Sequence, residues 1–131
     1  MNLYNLFLII LLFSTNALSN QVEDSSELFE KATSFFESGK VLEAVSIFKR
    51  LSDNNHEAAL FYLGKIYYHG DGLDVNKPLA FQYFKRASSS GHRPSLFMLA
   101  QFYIDNCFDF ESCNEANKYF EESTLLLLTD N

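Results

Sequence analysis

The pattern Ala-x-x-x-Phe occurs three times in register, as Ala44/Phe48, Ala80/Phe84 and Ala116/Phe120, at a constant offset of 36 residues. Between the second and third copies the register runs without a gap through His56/His92, Leu60/Leu96, Phe61/Phe97, Leu63/Leu99, Gly64/Ala100, Tyr67/Tyr103 and Tyr83/Tyr119. Apolar residues inside each copy fall at helical spacing in two stretches. A unit of two helices cannot bury its apolar face alone, so copies must stack, and the chain is expected to be all-α: an α/α solenoid of about three helix hairpins. The product of such a stack is a surface for binding other chains.

Residues 1–19 have the build of a secretory signal peptide: an apolar run from Leu6 to Phe13, a polar break at Ser14, then Ala17-Leu18-Ser19 with small residues where a signal peptidase reads. That apolar run is too short to cross about 30 Å of hydrocarbon as a helix. The expected destination is the secretory pathway, either secreted or in the ER lumen, or the periplasm if the source is bacterial. Residues 128–131 do not resemble an ER retrieval tetrapeptide.

The formal net charge of -7 is unevenly spread: residues 20–47 carry -4, residues 48–93 carry +3, and residues 94–131 carry -6. Acidic ends repel nucleic acid and anionic lipid, which argues against either as a partner. The central bases Lys49, Arg50, Lys85, Arg86 and Arg93 read as a solvated helix face, or as a docking patch for an acidic segment.

Helix punctuation falls where the period requires it. Asp24-Ser25-Ser26-Glu27 has capping-box spacing before Leu28, Ala32, Phe35 and Phe36, and Ser38-Gly39 stops that helix. A partner follows from Lys40 to about Ser52, with Ala44, Ile47, Phe48 and Leu51 on one stripe. Asn54 and Glu57 repeat the cap spacing before a helix that ends near His69. Two glycines, Gly70 and Gly72, shape the connector to Asn76, an N-cap, with Pro78 in the first turn and Gly91 as the stop. Pro94 opens the fifth helix, and Ser112 with Glu115 predicts a capping box for the sixth. The implied division is 1–19 signal peptide, 24–54, 55–91 and 92–126 hairpins, and 127–131 tail. The small residues Ala32, Gly64 and Ala100 of the first helices, and Ala44, Ala80 and Ala116 of the second, are expected where a neighbouring helix backbone approaches. Phe48, Phe84 and Phe120 fill the space beside them.

In the second copy, Leu63-Gly64, Tyr67, Gly70-x-Gly72-Leu73, Ala80, Tyr83 and Gly91 closely resemble a Sel-1-like repeat. Asn76 stands where that family has Asp, and Lys85-Arg86-Ala87 loosens its Lys-Ala pair. The third copy keeps Ala100, Tyr103, Ala116 and Phe120 but has Asn106-Cys107-Phe108 in place of the glycine connector. The first has lost about six connector residues and looks more like the related tetratricopeptide hairpin. The resemblance implies a TPR-like scaffold, not an enzyme, that binds other proteins and needs no cofactor. Family members with signal peptides include a lumenal adaptor of ER-associated degradation. Exported bacterial relatives linked to β-lactam binding or hydrolysis give an alternative, but they carry a cysteine pair in every repeat, on helices.

Cys107 and Cys113 lie six residues apart in the third connector, and an oxidising destination makes a disulfide between them the expectation. Closing so short a loop would stabilise by roughly 2 kcal/mol on the chain-entropy account. Free or intermolecular thiols are the alternative; zinc lacks a nearby histidine. No catalytic constellation stands out: His56 and His92 share one repeat position and are expected at helix starts, and Gly70-x-Gly72 lacks the rest of a phosphate loop. The first helix, with Glu23, Asp24, Glu27 and Glu30, reads as a polar cap. Leu125, Leu126, Leu127 and Leu128 form an apolar run near the other end, read as self-burial, a self-association seam, a partner contact or the mark of a fragment of a longer array.

Overall fold

The structure, a computed structural model, describes residues 24–106 and 110–129; the segment read as a signal peptide lies outside them. Six helices are present among the described residues: α1 (Ser25–Glu37), α2 (Val41–Asp53), α3 (Glu57–His69), α4 (Lys77–Ser89), α5 (Arg93–Asp105) and α6 (Phe110–Thr129). Each packs on its neighbours in sequence, giving three stacked hairpins, α1–α2, α3–α4 and α5–α6. The chain is an all-α solenoid.

Local chemistry sets the boundaries. Asp24 caps α1, its Oδ1 accepting from the Ser26 N–H at 3.1 Å, and that bond holds its carboxyl below the ordinary carboxylate value. Gly39 takes a left-handed φ of 78°, which lets the Lys40 N–H reach back to the Phe35 carbonyl at 2.8 Å. Asn76 caps α4 by accepting from the Leu79 N–H at 3.0 Å. Its own N–H donates to the Tyr67 carbonyl at 2.8 Å, folding the connector back onto the end of α3.

Three boundaries differ from the sequence expectation. The N-cap of α3 is His56, whose Nδ1 accepts from the Ala59 N–H at 3.3 Å. Asn54 is the C-cap of α2, because the left-handed Asn55 intervenes between the two helices. Helix α6 has already started at Phe110, so Ser112 and Glu115 lie inside it and not at its start; it runs on to Thr129, past the boundary expected at 126. 

The core is a run of interfaces between successive helices. Ala32, Ala44, Phe48, Leu63 and Ile66, all fully buried, form its first part together with Leu28 and Leu51. Ala80, Phe84 and Leu99 form its second, joined by the partly buried Phe61, Met98 and Tyr119. Ala100 is buried and Ala116 nearly so, whereas Phe120 is only half-buried. At Gly64 the close neighbour is a ring, not a helix backbone: an added Cβ would lie 2.5 Å from Cε1 of Phe84. That correction assigns the glycine to the aromatic it faces.

Candidate interaction surface

The same pair of rings recurs in every hairpin. Phe29 lies 5.9 Å from Phe48, Phe61 lies 5.9 Å from Phe84, and Phe97 lies 5.6 Å from Phe120. In the first two hairpins the next hairpin covers this pair. The His56 ring stacks on Phe29 at 5.0 Å, and the His92 ring tilts over Phe61 at 4.7 Å. Tyr62, whose role no sequence pattern marks, stacks on Phe48 at 5.1 Å and meets Phe29 and Phe36 edge-on. Its register partner Met98 does the same job against Phe84 without a ring. His56 and His92 stand at helix starts, as expected from the sequence, and each also seals the junction with the preceding hairpin.

Polar contacts reinforce the junctions. Arg86 of α4 donates through Nη2 to the Ser52 carbonyl at 2.7 Å and to Oδ1 of Asn55 at 3.0 Å. It therefore clamps the C-terminus of α2, where a cation is favoured by the helix dipole, and is not simply part of a solvated face. The Tyr68 hydroxyl donates to Oδ2 of Asp105 at 2.7 Å, tying α3 to α5. This bond raises the phenol and lowers the carboxyl relative to their ordinary values. Nδ1 of His92 lies 3.0 Å from the hydroxyl of buried Ser95. Burial lowers the His92 pKa below its ordinary 6.5, with Glu57 opposing.

The repeat glycines have separate tasks. Gly64 admits the Phe84 ring, and Gly72, at a φ of 75°, lies where a Cβ would come within 2.9 Å of Val41. The connector of the second hairpin thus packs on the start of α2. Tyr67 stacks on Tyr83 at 5.9 Å and Tyr103 on Tyr119 at 5.4 Å, binding α3 to α4 and α5 to α6. Gly91, with a φ of 93°, ends the second hairpin. Cys113 in α6 is half-buried and disulfide-bonded; Cys107 lies outside the described residues.

The first helices of the hairpins also share an outward row. Thr33, Lys65 and Gln101 occupy one register position and are all partly exposed, and Glu37, His69 and Asp105, one turn further, are exposed. This polar row crosses all three hairpins. Near the C-terminal end a groove of about 390 Å³ is lined by Arg93, Pro94, Phe97, Phe120, Ser123 and Thr124. Leu125 is exposed beside it, while the side chains of Leu126, Leu127 and Leu128 lie outside the described residues. Among the described residues no group of three or more His, Cys, Asp or Glu is placed to hold a metal ion, and no helix is long and apolar enough to cross a membrane.

Residues 57–92 match the family model of the Sel1 repeat. The whole fold is similar to that of a Sel1 repeat protein from Oxalobacter formigenes, at 21% identity and a TM-score of 0.67, over 89% of either chain. It is also similar to a protective antigen present in uropathogenic Escherichia coli strains that displays an SLR fold, at 19% identity and a TM-score of 0.68. That match covers 88% of this chain but only 25% of the antigen. No curated protein matches. The second hairpin thus matches the Sel1 repeat, and the described residues share the α/α fold of these solved Sel1-like repeat structures. Sel1 repeats typically serve protein–protein interaction.

Proposed function

We propose that this chain is a non-enzymatic scaffold of the secretory pathway that binds other proteins along the outward row of its first helices. The observation that carries the reading is the stack itself. Most of its large apolar side chains are buried between successive helices, while Thr33, Lys65 and Gln101 line up across all three hairpins as a polar row. A row of that kind suits a segment laid across successive repeats. The oxidising destination is supported by the build of residues 1–19 and by the disulfide state of Cys113, for which Cys107 is the other cysteine of the sequence. We take these two as a clasp on the third connector. An adaptor of the ER-associated degradation type is the finer form of this reading.

Photo-crosslinking amino acids placed at Lys65 and Gln101, with Ser46 and Gln82 on the second helices as controls, test the scaffold in the native cell. Discrete protein adducts from the first pair and none from the second are expected. Adducts that appear equally from all four positions, or from none, would remove the reading.

A further inference from the structure

Two histidines share one repeat position, and each lays its ring on the hairpin before it. Both contacts favour the neutral ring, for different reasons. At the first junction the Ala59 N–H donates to Nδ1 of His56 at 3.3 Å, so the ring carries its one proton on Nε2. A second proton can go only to Nδ1. Two N–H groups would then face each other, α3 would lose its N-cap bond, and the imidazole would have to turn out of its 23° stack on Phe29. At the second junction the His92 ring is half-buried, with Phe61 at 4.7 Å and the hydroxyl of fully buried Ser95 at 3.0 Å from Nδ1. A charge placed there has lost part of its water. The Phe61 face offers little in return, because the Lys65 ammonium already lies over that ring, 5.8 Å from its centroid. The surrounding charges compensate weakly. Glu57 of α3 acts on His92 and adjoins His56 in the chain, but it is exposed and screened by solvent. Arg86 of α4 holds Asn55, next to His56, and Arg93 follows His92 in α5, both of them positive. Glu30 follows Phe29 in α1 and is exposed.

We propose that His56 and His92 are acid-released latches: protonation loosens each hairpin from the one before it, the stack bends at its junctions, and Thr33, Lys65 and Gln101 lose their alignment. The hairpins themselves stay folded. Inside them the helices are held by Phe29 on Phe48, Tyr67 on Tyr83 and Tyr103 on Tyr119, rings with no basic nitrogen to take up a proton. The Arg86 clamp on Ser52 and the bond from Tyr68 to Asp105 keep the hairpins tethered, so the junctions bend without separating. Burial holds the His92 pKa below 6.5, which sets the second latch to open as the pH falls under that value. A segment laid across the polar row is then held at neutral pH and let go in acid. The latches regulate the proposed scaffold surface and rest on that reading.

Ser46, Gln82 and Lys118 hold one register position on the three second helices, and all are exposed. Nitroxide labels attached to ketone amino acids at Ser46 and Gln82 span the first junction, and at Gln82 and Lys118 the second; this chemistry spares the cysteines. Pulsed dipolar spectroscopy of the full chain, frozen from about pH 7.5 and from about pH 5, should show both distance distributions broadening in acid. His56→Asn supplies a cap that takes no proton, and should hold the first pair fixed while the second still broadens. His92→Gln should do the reverse. Identical distributions at the two pH values in the natural chain overturn the proposal. So does broadening that survives in the double variant, which would give the response to His69 or to carboxylates. Helical circular dichroism should be equal at the two pH values; its loss in acid would mean that the chain unfolds instead of unlatching, and also overturns the proposal. Failure here leaves crosslinks from Lys65 and Gln101 at neutral pH untouched, so the two readings fall separately.

Discussion

A methyl group on Gly64 would lie 2.5 Å from Cε1 and 2.6 Å from Cδ1 of Phe84. The ring has little room to retreat, since it is fully buried with Phe61 and Tyr68 against it. Two effects therefore compete in Gly64→Ala. Helix propensity favours alanine by about 1 kcal/mol, while overpacking a filled core costs about 1–3 kcal/mol. The clash should win, lowering urea stability by about 1 kcal/mol or slightly more. In a Phe84→Leu background the space is vacated and the same substitution should become neutral or stabilising, so the pair must show non-additivity. A stabilising Gly64→Ala in the natural chain would mean that the ring does not hold the glycine in place. The sequence marked Gly64 as a small position but could not say what was close to it. The neighbour lies twenty residues ahead, and only the hairpin brings the two together.

Helix starts show what the sequence conveys about elements. Asp24 and Asn76 are strong cap formers at the right spacing, and both cap as read. Histidine is not a usual cap, so the sequence favours Asn54 at the start of α3; the shared register of His56 and His92 places both at helix starts but does not reveal the rings they cover. The start of α5 carries a consequence in pH. In the unfolded chain His92 titrates near 6.5; in the fold, burial against Phe61 lowers it, and Glu57, the charged group acting on it, only partly offsets this. The unfolded state thus binds the proton more readily, and the contribution of neutral His92 is full above pH 6.5 and fades as the pH falls through the lower folded value. Asp24 and Asp105 also have lowered values, but their contributions fade below 3.8, a separate window. Melting temperatures between about pH 7.5 and pH 5 should therefore fall more steeply for the natural chain than for His92→Gln. Parallel curves would show that the imidazole is indifferent to folding.

At the scale of the molecule, the 36-residue register announced the stack, because a repeat is a long-range statement that local sequence already contains. It could not announce that equivalent positions have unequal surroundings: Phe84 is sealed between the second and third hairpins, while Phe120 is half-buried at the end of the stack. In a stack where each helix packs on its sequence neighbours, stability is close to a sum of hairpin and junction contributions. Phe84→Ala removes a ring from a filled junction and should cost about 3–5 kcal/mol. Phe120→Ala, at a half-buried position, should cost less than half of that. The larger loss should also be spatially confined. In Phe84→Ala, hydrogen exchange should rise first in α5 and in the amides of α4 that face it, while α1 and α2 keep their protection, because their core of Phe48, Leu51 and Leu63 is not touched. Equal costs for the two alanines, or exchange rising together in all helices, would mean that the chain unfolds as one indivisible unit. The junctions would then not be separable building blocks of the stack.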